Sequence, residues 1–351
     1  MSQTWPWADE FDADGTYLNS ATMGLPPRGT TDAVQAALEE WRRGVAHAPG
    51  YDDVIDRARA AYGRLVGVPA ESVAVGHQAS PFVSLLATAV PGGATVLVPT
   101  GEFTSVTFPF APQAHRGVRV LEVPLTELAD HIDGDTGLVA LAAVQSVDGS
   151  VAPLDAVARA ADHHGVDVLV DLTQAAGWLV VDAARFAYTV CSAYKWLLSP
   201  RGTAFFTVAP EKVDALVPTS AGWYAGAERW SSIYGLPLRL ADGARRFDVS
   251  PGWHAWVGTQ ASLDFLESVG AQALQDHAVA LEEVFAAEAG LAATGGAIRS
   301  LLADASVPAL LAEHGVLAAE RAGRLRVSFH VNNTVEEVAR VGGLVRGHVS
   351  A

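Results

Sequence analysis

Two lysines occur in this chain, Lys195 and Lys212, against 21 arginines. Lys212 lies in APEKVD, a polar turn that needs no special account. Lys195 lies in SAYKWLLSP, where an apolar run gives way to a further apolar stretch. An ammonium at such a place gives up hydration. Its pKa falls, and the free amine becomes a nucleophile suited to forming a Schiff base with a carbonyl compound. The plain alternative is a lysine at a strand end that keeps its head group in water. Upstream, VDVLVD ends in Asp171. A carboxylate and an amine that end two separate apolar runs could grip opposite ends of a flat heteroaromatic ring. Capping of a helix in DLTQAAG also accounts for Asp171, but leaves the paired lysine unexplained.

The elements that must carry these residues follow from the apolar periodicity. TDAVQAALEEWRRGVA (31–46) and DVIDRARAAYGRLVG (53–67) read as amphipathic helices. An alternation follows. SVAV (72–75) is a strand, and a helix opens at Ser80. TVLVP (95–99), VRVLEVP (118–124) and GLVALAAVQ (137–145) are strands, then PLDAVARAADHHG (153–165) is a helix with proline at its start and glycine at its end. VDVLVD (166–171), YTVCSA (188–193) and TAFFTV (203–208) are further strands. Near-continuous Val, Leu and Ala runs separated by helices predict an α/β fold with a mainly parallel central sheet. Helical patterns return at 259–290. RLRVSFHV (324–331) reads as a strand and TVEEVARVGGLVRGHV as a terminal helix, in a smaller α+β C-terminal unit. The expected division is an N-terminal arm at 1–30, a large domain at 31–235 and a small domain at 236–351.

Ligands of open α/β sheets bind beyond the carboxyl ends of the strands. Five strand ends here run into polar or aromatic groups: His77–Ser80, Glu102–Phe103, Gln145–Ser146, Asp171 with Gln174, and Ser192–Lys195. The donor set matches the needs of pyridoxal phosphate, which takes an amine for its aldehyde, a carboxylate for its ring nitrogen and donors for its phosphate.

VLVDLTQAAG followed by CSAYKWLLSPRGTAFF resembles the class V aminotransferase branch of the fold-type-I pyridoxal-phosphate enzymes, which includes cysteine desulfurases, isopenicillin N epimerase-like proteins and kynureninase. The likeness runs from YLNSATMGLPP to RVSFHVNNTVEEV. It implies the PLP-dependent transferase fold type I and a set of roles. Lys195 would form the internal aldimine and shuttle protons, and Asp171 would pair with the pyridine nitrogen. Gln174 and Ser146 would bond the phenolate oxygen, and Phe103 would stack on the ring. Ala79, Ser80, Ser192 and Tyr194 would form the phosphate cup, with Tyr194 standing where the family often has histidine. DVSPGWH resembles the loop that reaches a partner subunit's phosphate, so Ser250 implies a homodimer with the site at its interface. Arg326 would clamp the substrate α-carboxylate, and Asn19 in the N-terminal lip would touch substrate. Trp223 and Tyr224 in AGWYAG are candidates to shape the pocket. The implied activity acts on an amino acid through an external aldimine with loss of the α-proton. Amino transfer is placed first, and β-elimination at a C–S bond or epimerisation is the alternative. A non-catalytic binding module on the same fold is the remaining reading.

Composition bounds the rest. A formal net charge of −16 leaves no electrostatic footprint for nucleic acid or an anionic membrane. The single cysteine, Cys191, excludes an intrachain disulfide and fits a reducing, cytoplasmic location. MSQTWPWADEFDAD shows no basic and apolar leader pattern. No HExxH pair, Walker loop or GxGxxG occurs, and no metal site is expected. The stretch before the Arg326 strand, HGVLAAERAGRLRVS, holds no cysteine, so a persulfide-forming desulfurase is not expected.

Overall fold

The computed structural model describes residues 5–351. The first four residues of the expected N-terminal arm lie outside the described residues. A seven-stranded sheet runs in the order Val73–Gly76, Ala204–Val208, Tyr188–Ser192, Val168–Asp171, Thr136–Ala142, Thr95–Pro99, Arg119–Val123. Every strand but Ala204–Val208 runs the same way. The α/β, mainly parallel architecture follows from the apolar runs: Val73–Gly76, Val168–Asp171, Tyr188–Ser192 and Ala204–Val208 are buried along their whole length. Such strands need cover on both faces.

One face packs Tyr62, Trp178, Trp196 and Trp256 beneath the helices Gly50–Val66 and Trp253–Val269. The other packs Phe82, Phe110 and Phe206 beneath the helix Ala79–Ala89. Helix Gly50–Val66 buries Ile55, Ala58, Tyr62 and Val66 at helical spacing and stops at Gly67, whose φ of 79° makes a left-handed cap.

A four-stranded antiparallel sheet follows, in the order Ala319–Arg321, Arg324–Ser328, Ile298–Ala303, Val349–Ser350. Helices Ala271–Ala289 and Val335–Val345 lie against each other, and their apolar faces share a core with Leu301, Val327 and Phe329. The second helix starts at a capping box of Thr334 and Glu337. Several expected bounds shift. The 259–290 pattern is two helices, Trp253–Val269 and Ala271–Ala289, broken at Gly270 with φ 89°. The strand expected over 324–331 stops at Ser328, and the terminal helix stops at Val345, leaving Val349–Ser350 to pair with the sheet. Strand Ile298–Ala303 and helix Val307–Glu313 fall where no periodicity marks an element.

The segment Thr16–Gly24 ties the two sheets together. Ser328 donates its N–H to the Leu18 carbonyl at 3.0 Å, and Gly24 donates to the Tyr194 carbonyl at 2.8 Å. A Cβ on Gly24 would stand 2.0 Å from the Lys195 carbonyl oxygen. Gly24→Ala is therefore expected to push the backbone of Lys195 aside and to cost about 1–3 kcal/mol of stability, as overpacking does. Urea unfolding, with cofactor occupancy read on the same samples, checks it.

Candidate active site

The carboxyl ends of five strands converge on one pocket, of about 120 Å³. Lys195 stands on the turn after Tyr188–Ser192 and is 5 % exposed. Its Nζ lies 5.3 Å from the centre of the Phe103 ring and 5.8 Å from that of Tyr194. Burial pulls the amine pKa down to about 8. The Asp171 charge opposes the fall and Arg326 adds to it. The exposed-lysine alternative is thus set aside, and the residue is a buried amine with a nucleophile's pKa.

Asp171 ends the neighbouring parallel strand and is also buried. Burial raises its carboxyl pKa, while hydrogen bonds from Thr173 and the Lys195 charge pull it down. Its Oδ1 accepts the Thr173 N–H at 2.8 Å. Among the described residues it enters no ion pair. A buried carboxylate in a pocket wall that closes no ion pair suits a ligand that carries a cationic nitrogen.

Gln174 is oriented by its neighbours. The Trp196 indole N–H donates to Gln174 Oε1 at 2.7 Å, and an indole can only donate. The Gln174 NH2 must then face the other way, where it donates to Ser146 Oγ and to the Ala21 carbonyl, each at 3.0 Å. Trp196 in turn is held by His330, whose Nε2 lies 2.9 Å from the Trp196 carbonyl oxygen. Trp196→Phe leaves the amide free to flip. The expected result is about a tenfold loss of cofactor affinity, the worth of one buried hydrogen bond, read by titrating the cofactor-free protein with pyridoxal phosphate and following absorbance.

At the opposite end, helix Ala79–Ala89 begins without a side-chain cap from Gln78, so the first-turn N–H groups beyond that of Ala79 are open to a ligand. Ala79 N–H donates to Ser192 Oγ at 3.2 Å, and Ser192 N–H donates to Thr173 Oγ1 at 2.9 Å. Ser80, Tyr194 and Arg201 line the same end, with the Arg201 guanidinium 4.9 Å from the Tyr194 ring centre. Phe103 is 44 % exposed and projects from a braced turn. The buried Glu102 accepts the N–H groups of Phe103 at 2.7 Å and Ala142 at 2.8 Å, and the Gln145 amide at 2.8 Å.

Arg326 does not lie on an exposed strand face. It is 1 % exposed and donates to the Ser146 carbonyl at 2.6 Å and to Thr22 Oγ1 at 2.7 Å. Asn19 is half-buried and outside the pocket lining, and its side-chain oxygen is buried without a partner among the described residues. Ser250 lies on an exposed turn outside the pocket. That turn is anchored by Asp248, which is ion-paired to Arg59 at 2.7 Å and accepts the Val75 N–H at 2.8 Å. Tyr224 packs away from the pocket, its hydroxyl donating to Asp52 at 3.0 Å, and Trp223 packs on Trp230. Sequence reasoning missed Thr173, Trp196 and Arg201. Their positions next to Asp171, Lys195 and the SAYKWLLSP segment were the only signal.

Fold and pocket together define a fold-type-I pyridoxal-phosphate enzyme: a buried low-pKa amine, an unpaired buried carboxylate and an uncapped helix start suit the three ends of that cofactor. Residues 17–299 match the family described as Aminotransferase class-V, and the chain belongs to that family. It is 29 % identical over 307 residues to the uncharacterized aminotransferase YcbU of Bacillus subtilis, covering 80 % of each chain. It is 26 % identical over 247 residues to isopenicillin N epimerase of Streptomyces clavuligerus, covering 62 % of this chain and 60 % of that one. A solved structure of the cystine C–S lyase C-DES with its reaction product cysteine persulfide superposes with a TM-score of 0.85 at 20 % identity, covering 96 % of this chain and 98 % of that one. The cofactor is pyridoxal phosphate.

The exclusion of desulfurase chemistry does not stand. A cysteine desulfurase of Dickeya dadantii is 31 % identical over 159 residues, 44 % of this chain and 38 % of that one, and desulfurases and a persulfide-releasing lyase are among the similar structures. The C-DES complex also shows the fault in the premise, since there the persulfide is cysteine persulfide, a reaction product. Lack of a cysteine before the Arg326 strand therefore does not exclude sulfur chemistry.

Proposed function

We propose that this protein is an amino-acid aminotransferase in which Lys195 moves the α-proton of the substrate. The observation that carries the reading is the buried amine of Lys195, with a pKa of about 8, in one pocket with the unpaired carboxylate of Asp171. YcbU, matched over most of both chains, supports the amino-transfer branch.

Bound pyridoxal phosphate supplies an electron sink for the charge left at Cα. The chain's own groups do the rest. Lys195 Nζ would accept the proton from the substrate Cα and deliver it to the carbon that carried the cofactor's aldehyde, which an amine of pKa about 8 does efficiently near neutral pH. Asp171 holds the ring nitrogen's proton. Gln174 and Ser146 would bond the cofactor's ring oxygen, and Phe103 would pack on the ring. Ala79, Ser80, Ser192 and Tyr194 would hold its phosphate with N–H and hydroxyl donors, and Ser250 would reach it from the partner subunit of a cytoplasmic homodimer. Arg326 would take the substrate α-carboxylate through a planar double donor, and Asn19, outside the pocket lining, would meet the substrate from the N-terminal segment. The arm at 1–30, large domain at 31–235 and small domain at 236–351 are the corresponding units.

The test is a panel of amino acids, S-conjugates and keto acids presented to the holoenzyme. A new amino acid formed from an added keto acid supports the reading. Pyruvate with ammonia, released sulfur or an inverted Cα each overturns the amino-transfer branch in favour of β-elimination, desulfuration or epimerisation.

A further inference from the structure

Beside the pocket, two arginines meet at one hydroxyl. Arg326 Nη2 donates to Thr22 Oγ1 at 2.7 Å, and Arg321 Nη2 donates to the same oxygen at 3.4 Å. Among the described residues neither guanidinium forms an ion pair. Among the described residues Arg326 Nε is buried with no hydrogen-bond partner. Arg321 is close enough for its charge to act on Arg326, Lys195 and Tyr194.

The backbone keeps Arg321 in place. Arg321 pairs with Arg324 across a tight antiparallel hairpin, and the two residues between them, Ala322 and Gly323, have φ of 50° and 74°. A two-residue turn with both φ positive fixes the register of its flanking residues, and an alanine in the left-handed region is uncommon. Arg321 is thus presented from the end of a tight hairpin.

Two like charges held together without a counter-ion repel each other, and one of them is buried. The whole chain carries a net charge of −16, so an anionic substrate approaches against the overall field and needs a local positive site. Arg326 is the group proposed above for the α-carboxylate, which leaves Arg321 for something else.

We infer that Arg321 selects substrates bearing a second acidic group on the side chain, so that the enzyme takes acidic amino acids in preference to their neutral isosteres. The inference rests on the amino-acid reading of the site and adds its substrate class. The experiment titrates the holoenzyme with L-aspartate and L-glutamate, and with L-asparagine and L-glutamine, following the change in cofactor absorbance at equilibrium. The acids are expected to bind at least about tenfold tighter than the amides. The ratio should fall toward one in Arg321→Gln and lie between in Arg321→Lys. Arg321 is exposed at a hairpin tip, so neither change threatens the fold. Equal binding of acids and amides by the wild type, or an unchanged ratio in Arg321→Gln, overturns the assignment alone. Failure of every amino acid to perturb the absorbance overturns the amino-acid reading with it, an outcome distinct from equal binding.

Discussion

Lys195→Met is expected to lower turnover by about 10⁴-fold and to abolish covalent attachment of the cofactor after borohydride reduction. Methionine matches the buried stem but carries no amine. The pocket keeps its shape while losing the nucleophile and the proton carrier together. Peptide mapping of reduced wild-type and variant protein checks the attachment, and a wild-type adduct on Lys212 would refute the assignment. Lys212 is paired with Asp167 at 2.7 Å, away from the pocket, and offers no second site. The substitution also has a signature in the cofactor-free protein. The amine titrates at about 8 in the fold against 10.5 when exposed. The unfolded chain therefore holds the extra proton throughout that interval, and wild-type stability rises with pH from about 8 to 10.5. Below pH 8 both states are protonated, and the fold bears the full cost of the buried charge, on the order of 3 kcal/mol. The variant lacks that cost. It should be the more stable protein at pH 7, with the difference shrinking as pH rises through the interval. Urea unfolding at pH 7 and pH 10 reads it, and a constant difference would sink the account.

Asp171→Asn is expected to reduce turnover by about 10²–10³-fold while cofactor still binds. The amide keeps the volume and can still accept the Thr173 N–H, the bond that sets the side chain at 2.8 Å in the native protein. It carries no charge, so it cannot hold a ring nitrogen cationic, and the electron sink weakens where negative charge develops. Thr173 and Lys195 already work against the burial that raises the Asp171 pKa, so the carboxylate is maintained at a cost in desolvation that serves no structural ion pair. The loss should fall mainly on turnover, with a smaller change in cofactor affinity read by absorbance titration. A variant with wild-type turnover would show that Asp171 only caps the Thr173 turn.

Much of this site was legible because its parts sit at the ends of apolar runs. The period-2 and continuous Val/Leu stretches place Asp171, Ser192 and Phe103 at one edge of a parallel sheet, and the scarcity of lysine singles out Lys195. The small sheet was less legible. RLRVSFHV shows alternation, but its polar face turns inward, where Arg326, Ser328 and His330 are all buried. Alternation reports that two faces differ and does not say that the polar one meets water. IRSLLA carries no clean period, because Ile298 and Leu301 face the core while Arg299 is buried by pairing with Glu282 at 2.6 Å. The desulfurase exclusion failed for a chemical reason: a missing nucleophile excludes one route to a persulfide and not the product itself.

The sequence by itself determined the α/β alternation, the strand ends that bear chemistry and the amine–carboxylate pair, since these depend on neighbours within a few residues and on apolar periodicity. Only the tertiary structure decided which way Gln174 points, that Thr22 from the N-terminal segment receives two arginines, and that Gly24 must be a glycine. Those features arise where residues far apart in the chain meet, and no local pattern records the distance between side chains that share no element.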